Sequence, residues 1–195
     1  MKFEDLDTRE QGVLEAAVDV FTNYGYRRTT MDDIARKAGM SRPALYNYFK
    51  NKETIFRTYV ELFFQSISEA SQLKLEEAAN VVDGLAGFFD AAFVLPFKEL
   101  LATPHGMELA GVNKEIAGDL TETWMLQNER LLTCWLNKCA DEGSLELGDL
   151  SAGALARVLV NSVEGIKIRD ADQDRIGADL MVLAEMTARA YAPKR

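Results

Sequence analysis

The sequence is poor in the residues that build reactive centres. It has one histidine, His105, and two cysteines, Cys134 and Cys139, in 195 residues. A lone imidazole cannot supply a His-based metal cluster or a second histidine for acid–base work. No GxSxG elbow, HExxH pair or Gly-rich phosphate loop occurs. The expectation is a protein that is not an enzyme and carries no metal or cofactor. Two cysteines are too few for a disulfide framework, and five positions apart on one helix they point to different faces. They read as free thiols in a reducing, cytoplasmic setting. The longest stretch without Asp, Glu, Lys or Arg is Leu100 to Met107, eight residues, far short of the ~20 apolar residues of a spanning helix. The start, Met1-Lys2-Phe3-Glu4-Asp5, is acidic and lacks a secretory core.

What is present suits a globular chain of one domain or two small ones, 48% hydrophobic and 27% charged. Its formal net charge is −9, but the charge is uneven. Residues 23–57 hold eight basic and three acidic side chains, net +5. The overall acidity argues against nucleic acid, and the local excess argues for it.

Apolar residues recur at helical spacing almost throughout, and no stretch alternates as a strand does. The expectation is an all-α fold of about nine helices. Thr8 reads as the cap of a first helix ending at Gly25. Thr30 opens a second and Gly39 ends it. Ser41 caps a third, Arg42 to Phe49, with Pro43 tolerated in its first turn. Asn51 caps a fourth, Lys52 to about Gln72. One helix is expected over 79–102 with a kink at Pro96, and a broken region with at most a short helix around Gly106, Gly111 and Gly118. Three more follow: Asp119–Asp141, one from Ser151 to about Arg169, and one from Asp172 or Asp174 to near Tyr191.

Two short helices joined by Gly39-Met40-Ser41 form a helix-turn-helix at about 30–49. Leu45 and Phe49 take the inward positions of the second helix. Arg42, Ala44, Tyr46, Asn47 and Tyr48 then face outward, with Ser41 and Pro43 at its start. A helix of this width fits the major groove of duplex DNA. Arg42 can donate to guanine or phosphate, and Asn47 can reach an adenine edge. Tyrosine hydroxyls suit phosphate oxygens. Lys52 can add its ammonium to phosphate, and Arg27, Arg28 and Thr30 flank the other side.

The run from Thr29 to Glu53, with Tyr46-x-x-Phe49-x-x-Lys52 and the turn Tyr24-Gly25-Tyr26, resembles the DNA-binding domain of the TetR family of bacterial transcriptional regulators. The resemblance covers Thr8 to about Phe64. It implies a helix-turn-helix domain over 1–54 and a helical ligand-binding and dimerisation domain over 55–195. It also implies double-stranded DNA as partner, a homodimer on a palindromic operator, a ligand-responsive repressor and a small-molecule effector.

In the remainder, Phe88, Phe89, Phe93, Met107 and Trp124, with Asn128, Asn161 and Glu164 among them, read as a binding site for an apolar or amphiphilic effector. Leu155, Val158, Leu159 and Val163, with Ile176, Leu180 and Leu183, form two apolar stripes, and the resemblance implies that these last two helices make the dimer interface. An alternative stays open: a helical DNA-binding or adaptor protein without an effector, its aromatics serving only as core.

Overall fold

The computed structural model describes residues 6–169 and 173–193, the side chains of 167–169 and 173 excepted. It is all helical among those residues: α1 Thr8–Tyr24, α2 Met31–Lys37, α3 Arg42–Tyr48, α4 Lys52–Glu76, α5 Val81–Phe89, α6 Leu95–Leu101, α7 Gly106–Ile116, α8 Gly118–Asp141, α9 Ala152–Arg169 and α10 Gln173–Ala190. A π-helical turn, Asp90–Val94, joins α5 to α6, so that these three pieces make one interrupted helix. Two compact units result. One holds the residues up to Ser66 with Glu99–Glu122; the other holds Ile67–Lys98 with the residues from Thr123 onward.

The first unit packs Leu14, Ala17 and Phe21 of α1 against Ile34 of α2, Leu45 of α3 and Ile55 and Phe56 of α4, all buried. The spacing of these residues along each helix puts them on one face. Phe21, Tyr26 and Phe56 meet as three rings with centroids 5.2 to 5.9 Å apart, tilted as aromatic quadrupoles prefer. Leu109 and Val112 of α7 join the same core.

The second unit is centred on Phe88, Phe89 and Phe93, each at most 1% exposed. The ring of Phe93 meets that of Trp124 edge-on at 5.3 Å. Trp135 Nε1 donates to the carbonyl of Leu75 at 2.9 Å, joining α8 to the end of α4.

Several expected boundaries move, each for a local reason. Asp7, not Thr8, caps α1, because its carboxylate accepts the N–H groups of both Arg9 and Glu10 while Glu10 reaches back to the N–H of Asp7. Helix α4 continues one turn past Gln72. The expected helix over 79–102 is broken before Pro96 rather than at it. There the N–H of Leu95 bonds back to Asp90, one residue further than α-helical geometry allows. The region read as broken holds α7, eleven residues long. Burial of Leu109 and Val112 outweighs the weak helix propensity of its glycines. Of the two expected starts of the last helix, Asp172 lies outside the described residues and Asp174 lies in the first turn of α10.

Candidate nucleic-acid interface

The helix-turn-helix is built by local signals. Thr30 caps α2: its hydroxyl accepts the N–H of Asp33, and the Asp33 carboxylate accepts both the N–H and the hydroxyl of Thr30, the latter at 2.6 Å. Those bonds hold the Asp33 carboxyl below its ordinary range, the hydroxyl contributing most. Gly39, at φ +66°, turns the chain in a conformation that a side chain would disfavour. Ser41 Oγ then accepts the N–H of Ala44 and starts α3.

Leu45 is fully buried and Phe49 is 5% exposed. They fix the rotation of α3 and turn Ser41, Arg42, Pro43, Tyr46 and Asn47 to solvent, with Ala44 and Tyr48 half-buried beside them. Arg42 is held out along this face. One guanidinium nitrogen lies 3.2 Å from Asp32, the other 3.4 Å from the Tyr46 hydroxyl, and the group sits 5.5 Å above the Tyr46 ring. The sequence reading missed Asp32, which lies in the first turn of α2 and meets the guanidinium from the start of α3.

Arg28 and Thr30 are exposed at the entrance to α2. Lys52, read as a phosphate contact, is engaged within the unit. Its ammonium donates to the carbonyls of Tyr26 at 2.8 Å, Thr29 at 2.9 Å and Arg27 at 3.3 Å, which occupies all three of its protons. It also sits 4.5 Å above the Tyr26 ring. Lys52 is a strut that fixes the connector carrying Arg28 and Thr30. Burial pushes its pKa down, against a smaller opposing pull from Glu108. Arg27 donates its N–H and its guanidinium to Glu108 and Glu115 of α7, so it too is engaged inside the unit.

The residues read as an effector site do not all come together. Phe88, Phe89, Phe93, Trp124 and Asn128 are buried in the second unit. Asn128 Nδ2 donates to the Trp124 carbonyl at 2.9 Å, and its Oδ1 accepts nothing among the described residues. Met107 belongs instead to α7 of the first unit and is 72% exposed. Asn161 and Glu164 are exposed on α9, because the buried face of that helix is taken by Leu159, Val160 and Val163.

The dimer stripes divide in the same way. Leu155, Leu159, Val163, Ile176 and Leu180 are buried within the chain, and Leu183 is half-buried. Val158 alone of the set is exposed. On α10, Met181, Val182 and Met186 are also exposed, at 44% to 62%. The two stripes were read from helical spacing, which finds an apolar face but does not say which neighbour covers it.

Comparison with known proteins bears directly on this geometry. The sequence model of bacterial regulatory proteins, tetR family, matches residues 13–59, which run from α1 through α3 into α4. This segment of the chain is a DNA-binding domain of the tetR type. The uncharacterized HTH-type transcriptional regulator YhgD of Bacillus subtilis (strain 168) is 41% identical over 70 residues, 36% of this chain and 35% of YhgD. The chain thus matches about a third of that relative's length. A transcriptional regulator from Cytophaga hutchinsonii has a similar fold, with a TM-score of 0.81 at 19% identity over 95% of this chain and all of that one. The complex of SmeT with triclosan gives 0.68 at 20% identity over 96% of this chain and 93% of that one; SmeT is the repressor of a Stenotrophomonas maltophilia multidrug efflux pump. These two likenesses concern the fold.

Proposed function

We propose that this protein is a transcriptional regulator that represses by binding a palindromic operator as a homodimer, and that a small apolar or amphiphilic effector releases it. The observation that carries the reading is the exposed face of α3. A guanidinium, an amide and a phenol stand there on a helix anchored by Leu45 and Phe49, and those groups match base edges and phosphates. One seven-residue helix reads few base pairs, so a twofold pair is the economical reader. The division of labour follows the chain: residues 1–54 read DNA, and 55–195 bind the effector and the second copy. Val158, Met181, Val182 and Met186, 44% to 62% exposed on α9 and α10, are apolar groups available to that copy.

The effector reading is supported by the ring cluster around Phe93 and Trp124 and by the buried acceptor Asn128 Oδ1. An unsatisfied buried acceptor costs about 1–3 kcal/mol, and a ligand hydroxyl or ammonium would relieve it. That SmeT binds triclosan fits the same reading. The tight burial of Phe88, Phe89 and Phe93 favours the alternative, a DNA-binding protein without an effector. A thermal-shift screen separates the two. Stabilisation by an amphiphile that also releases DNA supports the effector, and a uniformly flat response supports the alternative.

The test of the DNA reading is recovery of duplex from sheared genomic DNA of the source organism. The expected product is a small set of fragments sharing an inverted repeat, with binding that weakens as salt rises. Recovery of random fragments, or of none, contradicts it.

A further inference from the structure

The basic excess of residues 23–57 does not lie on α3. Arg42 is paired with Asp32, Arg27 with Glu115 and Arg57 with Asp119, and Lys52 is bound to carbonyls. Three others, Arg28, Arg36 and Lys37, of which the last two make exposed ion pairs, line one concave groove of about 760 Å³ in the first unit. Tyr24, at the end of α1, Asp33 and His105 are among its other lining residues.

Four properties of this groove point to a ligand. Its volume lies within the range of small-molecule sites, roughly 300–1,000 Å³. Its three cations face one lining carboxylate, Asp33, which is already bonded to the N-terminus of α2. Arg28 makes no ion pair among the described residues. Tyr24 is 64% exposed, so its ring offers a flat apolar face where most large apolar groups are buried. The pairs that do exist are replaceable. Lys37 lies 2.6 Å from Asp19 and Arg36 lies 3.7 Å from Asp33, all four at least 38% exposed. Such surface pairs contribute little, whereas a phosphate accepts several charge-assisted bonds at once. Stacking of a planar ring on an aromatic side chain is tolerant of ring identity.

We propose that this groove binds a mononucleotide-like ligand, with its phosphate against Arg28, Arg36 and Lys37 and its base against Tyr24. The site lies off α3 and shares only Arg28 with the residues read as flanking the duplex.

The experiment is calorimetric titration of the full chain at low salt with AMP, adenosine and inorganic phosphate. AMP is expected to bind roughly tenfold or more tighter than either of its parts, since both contacts are needed. The double variant Arg36→Gln/Lys37→Gln should weaken AMP by a similar factor while operator affinity stays within about twofold. Tyr24→Leu, at an exposed position, is a second variant whose folding is not at risk. It should bring AMP down to the affinity of inorganic phosphate. Absence of AMP binding, or AMP binding unchanged in both variants, overturns the proposal. So does loss of operator affinity with a shallower salt dependence in the double variant, which assigns these cations to flanking phosphates of the duplex.

Discussion

The guanidinium of Arg57 grips the carboxylate of Asp119 with two parallel hydrogen bonds, each 2.7 Å long, across 62 positions of sequence. The same guanidinium also donates to the carbonyl of Ile116. It therefore ties the first turns of α4 to the junction of α7 and α8 within the first unit. A bidentate pair of this kind fixes direction as well as distance.

This grip has a pH signature. Arg57 holds the Asp119 carboxyl down to about 2, its hydrogen bonds being the largest cause, against about 3.9 for an unfolded aspartate. A carboxyl depressed in the folded state stabilises that state above the unfolded pKa. The contribution is lost as pH falls through the folded value. Thermal melting of the wild type and Asp119→Asn should therefore differ most at neutral pH. The gap should close between about pH 4 and pH 2. It should also narrow in high salt, because both side chains are partly exposed. A gap that does not change with pH would show that the pair does not report on Asp119 ionisation.

Lys52 provides a second check. If its ammonium braces the connector through the Tyr26, Arg27 and Thr29 carbonyls, Lys52→Met leaves three acceptors without their donor. The expected loss of stability is about 1–2 kcal/mol by urea unfolding. Operator affinity should fall as the connector loosens, with the slope of log affinity against log salt unchanged. A direct phosphate contact predicts the reverse: stability is preserved and the slope becomes shallower by about one.

Gly25 closes α1 at φ +85°, and a Cβ there would run into the Glu108 carboxylate. Gly25→Ala should cost at least ~1–2 kcal/mol for the backbone alone. That corresponds to a fall in melting temperature of about 2–4 °C per kcal/mol for a chain of this size. Unchanged melting would mean that the turn between α1 and α2 relaxes freely.

The parts of the fold and site written in local sequence were legible before any coordinates. Ser41, Thr30 and Gly39 act within four residues of themselves, so their caps and turn follow from residue type alone. Leu45 and Phe49 fix the face of α3 by spacing, and the outward residues follow from them. What depends on distant partners was not legible. Lys52 reads as a phosphate contact from sequence because a lysine at a helix start suits an anion. Only the folded connector shows three carbonyls converging on it. Glu164 and Asn161 looked like polar members of an apolar site, yet the same periodicity also permits the solvent face they occupy. Helix α7 was underestimated because its glycines weaken local propensity, while the core contacts of Leu109 and Val112 are non-local.

The central claim is that α3 reads duplex DNA through Arg42 and Asn47. The most direct measurement is a fluorescence-anisotropy titration of a recovered inverted-repeat duplex with the wild type and with Arg42→Ala/Asn47→Ala, both exposed positions that leave the Leu45 and Phe49 anchors intact. With each contact to a base edge contributing about 1–3 kcal/mol, the double variant should bind roughly 100-fold or more weakly and discriminate poorly against a scrambled duplex. Equal affinity and equal discrimination in the two proteins would contradict the account.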